Sequence, residues 1–244
     1  MKRMHFLWLL AGITMLSGCA ASVPAGRAKY NLSDFEKPGT VRPLEVSDPI
    51  ETVNRGLYRF NYNFDRFLFL PVVNTYEFIM PNYVEKRVSN FFDNIGEFGN
   101  FTNGVLQLKP KSAGITLSRF VINSTVGIAG LWDPATHWKL QRQDEDFGQT
   151  LGRYGVGNGP YVVLPVMGPS NLRDTTGLVA DAAAFTVVDP LNFEHNDLGL
   201  PYQGVKAVDA RHRQPFRYYK SGSPFEYEFV RLLYTEKRKL QVAK

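Results

Sequence analysis

Proline and glycine interrupt this sequence at short intervals, and the apolar residues between them recur at the spacing of amphipathic helices. The 244 residues include 21 glycines and 15 prolines. Because a proline inside a helix removes a backbone hydrogen bond and bends or ends the helix, the helical segments are expected to be short. No apolar run reaches the ~18 to 20 residues of a bilayer-spanning helix. The pattern predicts one all-α domain of short, bent amphipathic helices that is not polytopic.

The first helix is expected over residues 49–70. Asp48-Pro49-Ile50-Glu51 places a capping carboxylate, a proline at the first helical position and a glutamate three residues after the cap, which is typical of a helix start. Pro71 is expected to end this helix, and a second helix is expected over residues 82–98. Both carry apolar residues at steps of three and four, namely Ile50, Val53, Leu57, Phe60, Phe64 and Phe67 in the first and Val84, Val88, Phe91, Ile95 and Phe98 in the second.

The rest of the chain also favours helices. Tyr161–Met167 contains Pro165 and has no partner run of alternating pattern, so an extended buried connector is expected there rather than a sheet. Order is expected to begin near Ser47, and the helical domain to cover residues 47–222. Further short helices are expected within residues 111–131, 144–154, 170–185 and 201–212, and a last amphipathic helix over 223–244.

The first nineteen residues indicate a lipoprotein signal. Two positive residues, a short apolar run and Leu16-Ser17-Gly18-Cys19 predict cleavage after residue 18 and acylation of Cys19. The alternative is an ordinary secretory signal with a chance cysteine. Ala20, where inner-membrane lipoproteins carry Asp, favours the outer membrane. Residues 19–46 have no sustained apolar period and are expected to be a flexible tether.

Positive charge is concentrated near the carboxyl end. Residues 206–244 carry 10 Lys and Arg against 4 Asp and Glu. Arg211, Arg213 and Arg217 are therefore candidates for contact with anionic head groups or with an acidic partner, which basic segments near membranes attract. The alternative is a solvated end of the chain, because glutamates on the last helix offset part of the charge.

No group of residues predicts catalysis or metal binding. A single cysteine excludes a disulfide and a cysteine-based zinc site, and His137, His195 and His212 lack paired spacing. The loop that contains Gly155, Gly157 and Gly159 resembles a phosphate-binding loop only in its glycines, because no Lys-Ser/Thr follows, so a turn is the favoured interpretation. We predict a protein that is not an enzyme and that has no cofactor or metal.

The phenylalanine stripes allow two interpretations. Phe60, Phe64 and Phe67 in one helix and Phe91 and Phe98 in the other are most simply core residues. In a lipid-anchored protein, the same stripes are suited to a helix that lies in the membrane interface with its aromatic face among acyl chains. We therefore consider these five residues candidate lipid contacts.

Several segments together resemble the VacJ/MlaA family of outer-membrane lipoproteins. They cover residues 47–184 closely. Leu108 is a departure, because relatives tend to carry Gly there, and Ser223-Pro224-Phe225 replaces an Asp-Pro-Tyr. The matching segments are Asp48-Pro49-Ile50-Glu51, Asn54-Arg55, Phe60-Asn61, Asn90-Phe91, Arg119 to Gly127, Asp146 to Gly152, Tyr154 to Gly157, Gly159-Pro160-Tyr161, Leu164-Pro165, Gly168-Pro169 and Arg173-Asp174.

The resemblance implies a ring of helices in the inner leaflet of the outer membrane that works in retrograde phospholipid transport. The implied partners are phospholipid, a trimeric porin and a soluble periplasmic lipid carrier, with no nucleic acid. The glycine loop, Gly155 to Gly159, is then a structural or gating element of the lipid path. A periplasm-facing hydrolase of lipid or cell-wall material and a non-catalytic scaffold are the alternatives.

Overall fold

Helices make up most of the computed structural model, which describes residues 46–188 and 198–244. The all-α prediction is confirmed in this respect. Residues 1–45, which include the expected signal peptide and Cys19, lie outside the described residues, as does His195. The helices are α1 (Glu51–Phe64), α2 (Leu70–Ile79), α3 (Asn82–Leu106), α4 (Pro110–Thr125), α5 (Pro134–His137), α6 (Phe147–Arg153), α7 (Leu172–Val188), α8 (Gly199–His212) and α9 (Glu226–Ala243).

Pro71 does not end the first helix. Between α1 and α2 the chain continues as a π-helical segment, Asp65–Phe69, and the N–H of Leu70 donates to the C=O of Asp65. Pro71 therefore lies inside the first turn of α2, where its missing N–H matters least. The wider π turn just before it accommodates the proline ring, which an unbroken α-helix would bring against an earlier carbonyl. The expectation of an end at Pro71 was wrong for this reason.

Asp48 does not cap α1. Ile50 occupies the cap position and provides no side-chain cap. The carboxylate of Asp48 instead accepts hydrogen bonds from Asn54 Nδ2 at 2.7 Å, from Arg231 Nη1 at 3.0 Å and from the hydroxyl of Tyr227. The helix starts close to the predicted place, but the carboxylate joins α1 to α9 rather than satisfying the first turn.

The second predicted helix extends beyond Gly99, because α3 continues to Leu106. A Cβ at Gly99 would meet nothing within 4 Å, so this glycine imposes no turn. Gly104 instead allows close packing of α3 on α4, since a Cβ there would lie 3.3 Å from the backbone nitrogen of Ala113. In the turn between these helices Leu108 has a φ of 56°. The left-handed backbone explains why glycine suits this position in relatives.

The expectation of a connector without a sheet was wrong. Tyr161–Leu164 (β1) pairs antiparallel with Gly168–Asn171 (β2), with Val163 opposite Pro169. The second strand, Gly-Pro-Ser-Asn, has no strand propensity of its own, so no sequence pattern could indicate it. Asn171 caps α7, because its Oδ1 accepts from the N–H of Asp174 at 2.8 Å.

Two asparagines of α1 hold the free edge of this hairpin. Asn54 donates to the C=O of Tyr161 at 3.0 Å and accepts from the N–H of Val163 at 2.9 Å. Two turns along the helix, Asn61 accepts from the N–H of Val166 at 2.7 Å and donates to a carbonyl at the end of β1. The side-chain amides thus provide the hydrogen bonds that a third strand would give.

The buried apolar cluster lies where α1, the hairpin and α9 meet. It consists of Tyr58, Tyr161, Val163, Tyr227 and Val230. Tyrosine rings meet edge to face in this cluster, with centroids 5.7 Å apart for Tyr58 and Tyr227. Since α9 supplies buried residues to this cluster, the predicted 223–244 segment packs within the same compact unit as the rest of the described residues.

Replacing Asn54 with Ala should lower the free energy of unfolding by about 2–3 kcal/mol, because it leaves a buried N–H and a buried C=O of the hairpin without a partner and removes one hydrogen bond to Asp48. Asn63→Ala is the matched control, since Asn63 is exposed on the same helix, and its effect should stay within about 0.5 kcal/mol. Chemical unfolding in detergent micelles provides the measurement. Equal effects of the two substitutions would contradict the role of Asn54 in holding the edge of the hairpin.

Replacing Leu108 with Gly should raise the stability by about 0.5–1 kcal/mol. The left-handed backbone costs a non-glycine residue about 1–2 kcal/mol, which exceeds the entropy that glycine adds to the unfolded chain. The unfolding midpoint measures this effect. Leu108→Ala keeps the strain and is the control, so a gain of equal size in that variant would contradict the explanation.

Candidate functional site

The buried faces of the helices are polar. Glu97 of α3 has an exposed fraction of 0% and Arg119 of α4 has one of 2%. Among the described residues, buried polar and charged side chains far outnumber buried apolar ones. In α1 and the π segment the buried polar residues recur at steps of seven and four, and along α3 they recur at steps of three after an isolated Glu85. They are Asn54, Asn61, Asp65, Glu85, Asn94, Glu97, Asn100 and Asn103.

Large apolar side chains point outward instead. Phe67 is 70% exposed, Phe78 of α2 is 91% exposed and Val187 of α7 is 85% exposed. Large apolar side chains exposed to this degree are costly in water, and exposed apolar patches mark contact with a membrane or with another protein. Other exposed apolar residues are Leu68, Ile79, Leu117, Phe120, Val121, Ile128, Met167, Val179, Leu200 and Leu240.

The five candidate phenylalanines divide between the outer surface and the space between helices. Phe60 and Phe67 are exposed, and Phe64 is half-buried, with its ring 6.1 Å from that of Phe60. Phe91 and Phe98 on α3 are half-buried. The structure therefore separates the first stripe from the buried polar face of α1 and presents it outward. None of these residues belongs to the buried apolar cluster.

A charged network buried between α3, α4 and α5 holds these helices together. Arg119, the single charged residue between Lys111 and Leu131, donates from Nε to Glu97 at 2.7 Å and from Nη2 to Asp133 at 3.1 Å. Asp133 also caps α5 by accepting from the N–H of Thr136 at 3.1 Å. The buried charge of Arg119 is compensated, because both carboxylates bond its guanidinium.

A second charged network joins α6, α7 and α9. Arg238 forms forked hydrogen bonds with Asp146 at 2.7 and 2.8 Å and with Asp174 at 2.7 and 3.0 Å. Burial acts to raise the pKa of Asp174, but the hydrogen bonds and positive charge of Arg238 lower it below its ordinary value. The pKa of Asp146 is lowered by the same opposing causes. Both carboxylates are therefore held ionised.

Much of the Asp146–Gly152 motif has a structural role in this arrangement. Asp146 caps α6 through the N–H of Gln149 at 2.8 Å, in addition to its pairing with Arg238. A Cβ at Gly177 of α7 would lie 2.3 Å from the backbone nitrogen of Gly148, so α6 and α7 meet backbone to backbone. Thr150 donates to Asn103 of α3 at 2.8 Å. The motif thus fixes one short helix between three others.

The glycine loop lies on the surface between α6 and β1. Gly155 and Gly159 have φ values of 88° and 67°, as expected for tight turns, whereas Gly157 does not have a positive φ. A Cβ at Gly157 would meet nothing within 4 Å, but one at Gly159 would lie 3.1 Å from the Cβ of Leu172. The backbone conformation therefore favours glycine at Gly155 and Gly159 and not at Gly157.

The three candidate arginines form intramolecular bonds. Arg211 makes a forked pair with Asp65 of the π segment at 2.6 and 2.8 Å. Arg213 donates to Asp93 of α3 at 2.8 Å, and Arg217 donates to two backbone carbonyls of its own loop at 2.7 and 3.0 Å. Arg211 and Arg213 therefore join α8 to earlier helices, and the structure does not bring the three residues together as a free basic patch.

The histidines and acidic residues do not gather into a metal site within the described residues. His137 lies in α5, and His212 contacts Glu77 at 2.7 Å. None of the helices in residues 46–188 and 198–244 combines the length and hydropathy needed to cross a membrane.

Sequence reasoning missed the buried polar face because it followed the apolar residues. The signal was present in the asparagines of α1, since Asn54 and Asn61 are seven residues apart and therefore lie on one face of the helix. Asparagine has low helix propensity, so its repeated use on one helix face needs a reason outside the helix. In α1 that reason is the hairpin edge.

Comparison with known proteins gives one consistent family. A family model described as MlaA lipoprotein matches residues 46–241. An uncharacterized protein of Rickettsia prowazekii (strain Madrid E) is 38% identical over 170 residues, which is 69% of this chain and 66% of that protein. The chain thus spans just under two thirds of that relative's length.

Two named relatives and one solved structure indicate the same family. The intermembrane phospholipid transport system lipoprotein MlaA of Haemophilus influenzae is 33% identical over 215 residues, covering 86% of this chain and 79% of that one. The protein of the same name from Escherichia coli (strain K12) is 36% identical over 177 residues, covering 71% and 64%. A structure solved in work on the structural basis for maintenance of bacterial outer membrane lipid asymmetry matches with a TM-score of 0.67 at 32% identity, covering 80% of this chain and 99% of that one.

Replacing Arg238 with Gln should lower the free energy of unfolding at pH 7 by about 3–5 kcal/mol, because buried carboxylates lose their charged partner. The wild-type contribution is present above the unfolded pKa and is lost as the pH falls through the lowered folded pKa values of Asp146 and Asp174. The difference between wild type and variant should therefore shrink as the pH falls below about 5.

Lys239→Gln is the control for this substitution, because Lys239 forms an exposed pair with Glu236 on the same helix. Its effect should stay below about 1 kcal/mol at every pH. Denaturant unfolding at a series of pH values measures both variants. A large Arg238→Gln effect that does not change with pH would contradict the conclusion that Arg238 stabilises the fold by pairing with ionised Asp146 and Asp174.

Proposed function

The chain belongs to the MlaA lipoprotein family, and on that premise we propose that it removes mislocalised phospholipids from the outer leaflet of the outer membrane. It passes them to a soluble periplasmic lipid carrier. The transport is retrograde and maintains the lipid asymmetry of the membrane. The protein acts by binding and guiding lipid rather than by catalysis.

The observation that carries this proposal is the inverted distribution of polar and apolar side chains. Exposed phenylalanines such as Phe67 and Phe78 are stabilised when acyl chains replace water around them, at about 25 cal/mol per Å² of apolar surface removed from water. Asn54, Asn61 and the ion pairs of Arg119 and Arg238 have their hydrogen-bond partners within the protein and need no contact with the bilayer. A protein of this kind lies in one leaflet with short helices and without spanning it.

The same distribution supports a path for an amphipathic substrate. In the proposed arrangement the helices form a ring in the inner leaflet, with acyl chains against the outer apolar surface. The buried charged networks of Arg119 and Arg238 keep the helices at fixed positions, because moving one helix leaves buried charges unpaired. A rigid frame of this kind keeps a lipid path open while lipid moves through it.

Anchoring and partners complete the proposal. Acylated Cys19 attaches the protein to the inner leaflet, facing the periplasm, and a trimeric porin is its membrane partner. The glycine loop, with left-handed Gly155 and Gly159, serves as a structural or gating element of the path. Because Arg211, Arg213 and Arg217 are engaged within the chain, exposed lysines of the same region are the better candidates for the periplasmic carrier, namely Lys220, Lys237 and Lys244.

The direct test is to delete the gene in its own Gram-negative host and measure phospholipid in the outer leaflet. Accumulation that the intact gene reverses supports the proposal. Protein extracted from membranes in mild detergent should also carry phospholipid. A chain that extracts without lipid and whose loss leaves the outer leaflet unchanged supports the scaffold alternative, and release of lipid or cell-wall fragments by the pure protein supports the hydrolase.

Replacing Phe67 and Phe78 together with Asp should reduce membrane binding several-fold. The measurement is flotation with phospholipid vesicles, in a Cys19→Ala background so that the acyl anchor does not mask the effect. The Phe67→Leu and Phe78→Leu pair is the control, because leucine keeps the surface apolar. A Cys19→Ala protein that is a soluble monomer without detergent would contradict the proposed surface.

A further inference from the structure

Arg87 of α3 is held between two aromatic rings. Its guanidinium carbon lies 4.4 Å from the ring centre of Tyr83, one turn earlier in the helix, and 4.9 Å from that of Trp132, in the loop after α4. Nη1 donates to the C=O of Leu131 at 3.1 Å. The rings and this one carbonyl fix the side chain in place.

No carboxylate within the described residues pairs with Arg87. By contrast, the half-buried or buried Arg55, Arg119, Arg142 and Arg211 each form an ion pair with Asp or Glu. The half-buried Arg217 bonds backbone carbonyls of its own loop instead. The Nε of Arg87 is also buried without a hydrogen-bond partner. A half-buried guanidinium is therefore fixed by rings without an anion to balance its charge, which is costly unless a ligand supplies one.

The segments that carry Arg87 and its two rings also expose apolar residues. The corner between α2 and α3 exposes Phe78 and Ile79, and the loop that carries Trp132 exposes Ile128. Tyr83 and Trp132 are themselves exposed in part. Tyrosine, tryptophan and arginine beside a lipid-facing surface are typical of the level at which head groups meet acyl chains.

The nearby charges favour an anion. Glu85, two residues before Arg87 in α3, is buried on another side of the helix, 3.7 Å from the Nε2 of His212. Asp133 is engaged by Arg119. Lys86 is exposed beside the site and adds positive charge. No free carboxylate of these neighbours therefore competes with a ligand for Arg87.

We propose that Arg87, Tyr83 and Trp132 bind the phosphate of a phospholipid head group at the edge of the lipid-facing surface. The planar guanidinium offers forked donors to phosphate oxygens, and the two rings contact the glycerol and the upper acyl chain. The site rests on the proposed function, because its ligand is the class of lipid transported. It adds a fixed point of head-group contact on the outer surface of the protein.

The experiment uses Trp132 as its own reporter. The chain has three tryptophans, so the full-length protein with Trp8→Phe and Trp138→Phe retains only Trp132. In nonionic detergent it is titrated separately with dihexanoyl phosphatidylglycerol, with dihexanoylglycerol and with inorganic phosphate while its emission is recorded. We expect a saturable change with phosphatidylglycerol alone.

Variants then test the guanidinium. Arg87→Gln should raise the half-saturating concentration of phosphatidylglycerol at least tenfold, and Arg87→Lys should raise it less because the charge remains. Arg59→Gln is the matched control, since Arg59 is exposed on α1 and its substitution removes the same charge. It should titrate like the parent. If Arg87→Gln lowers the unfolding midpoint, the Arg87→Lys titration decides.

Several results would overturn the site. If the Arg87→Gln protein titrates like the parent, the guanidinium does not take part in binding. Where only the Arg87→Lys protein folds, the same result with that variant leads to the same conclusion. An equal response to dihexanoylglycerol indicates apolar contact alone, and an equal response to inorganic phosphate indicates a free-anion site. Failure of this site differs from failure of the proposed function in the lipid content of the parent protein. If the parent extracted from membranes carries phospholipid but the Arg87 variants titrate like it, the proposed transport stands and only the site is wrong.

Discussion

The pairing of Arg119 with Glu97 and Asp133 is the interaction on which the arrangement of α3, α4 and α5 depends. In most soluble domains apolar burial holds helices together and polar groups remain at the surface. Here the faces between these helices are rich in asparagine, glutamate and arginine, and large apolar side chains point outward. Hydrogen-bond geometry then decides which helix meets which, because a displaced partner leaves a buried charge without compensation.

This way of holding the fold explains why so many motif residues are small or polar. Asp146 both caps α6 and pairs with Arg238, and Gly148 and Gly177 allow two helices to meet at backbone distance. Asn54 and Asn61 complete the free edge of a two-stranded hairpin. The Asp146–Gly152 motif is therefore a set of packing and capping residues in its tertiary setting.

The inverted surface connects the fold to lipid. With the charged networks paired internally, the outer apolar residues are free to contact acyl chains. No helix of residues 46–188 and 198–244 is long and apolar enough to cross a membrane. Unlike most of the arginines compared above, Arg87 has no carboxylate partner within the described residues, and it lies among exposed aromatic and aliphatic residues. Its position at the edge of the apolar surface is what suggests a phosphate ligand rather than a structural counter-ion.

The sequence alone determined that the chain is helical, where most helices begin and which family it resembles, because these depend on local spacing, on proline and on linear motifs. It could not determine that the phenylalanine stripe of α1 faces outward, since an apolar stripe suits either a core or a lipid surface. The continuation of the helix past Pro71 and the strand Gly168–Asn171 were likewise decided by tertiary contacts. Tertiary contacts also decided the roles of Asp48 and Arg211. Each residue has its charged partner in an element far away in the chain, and only the folded structure brings those charges together.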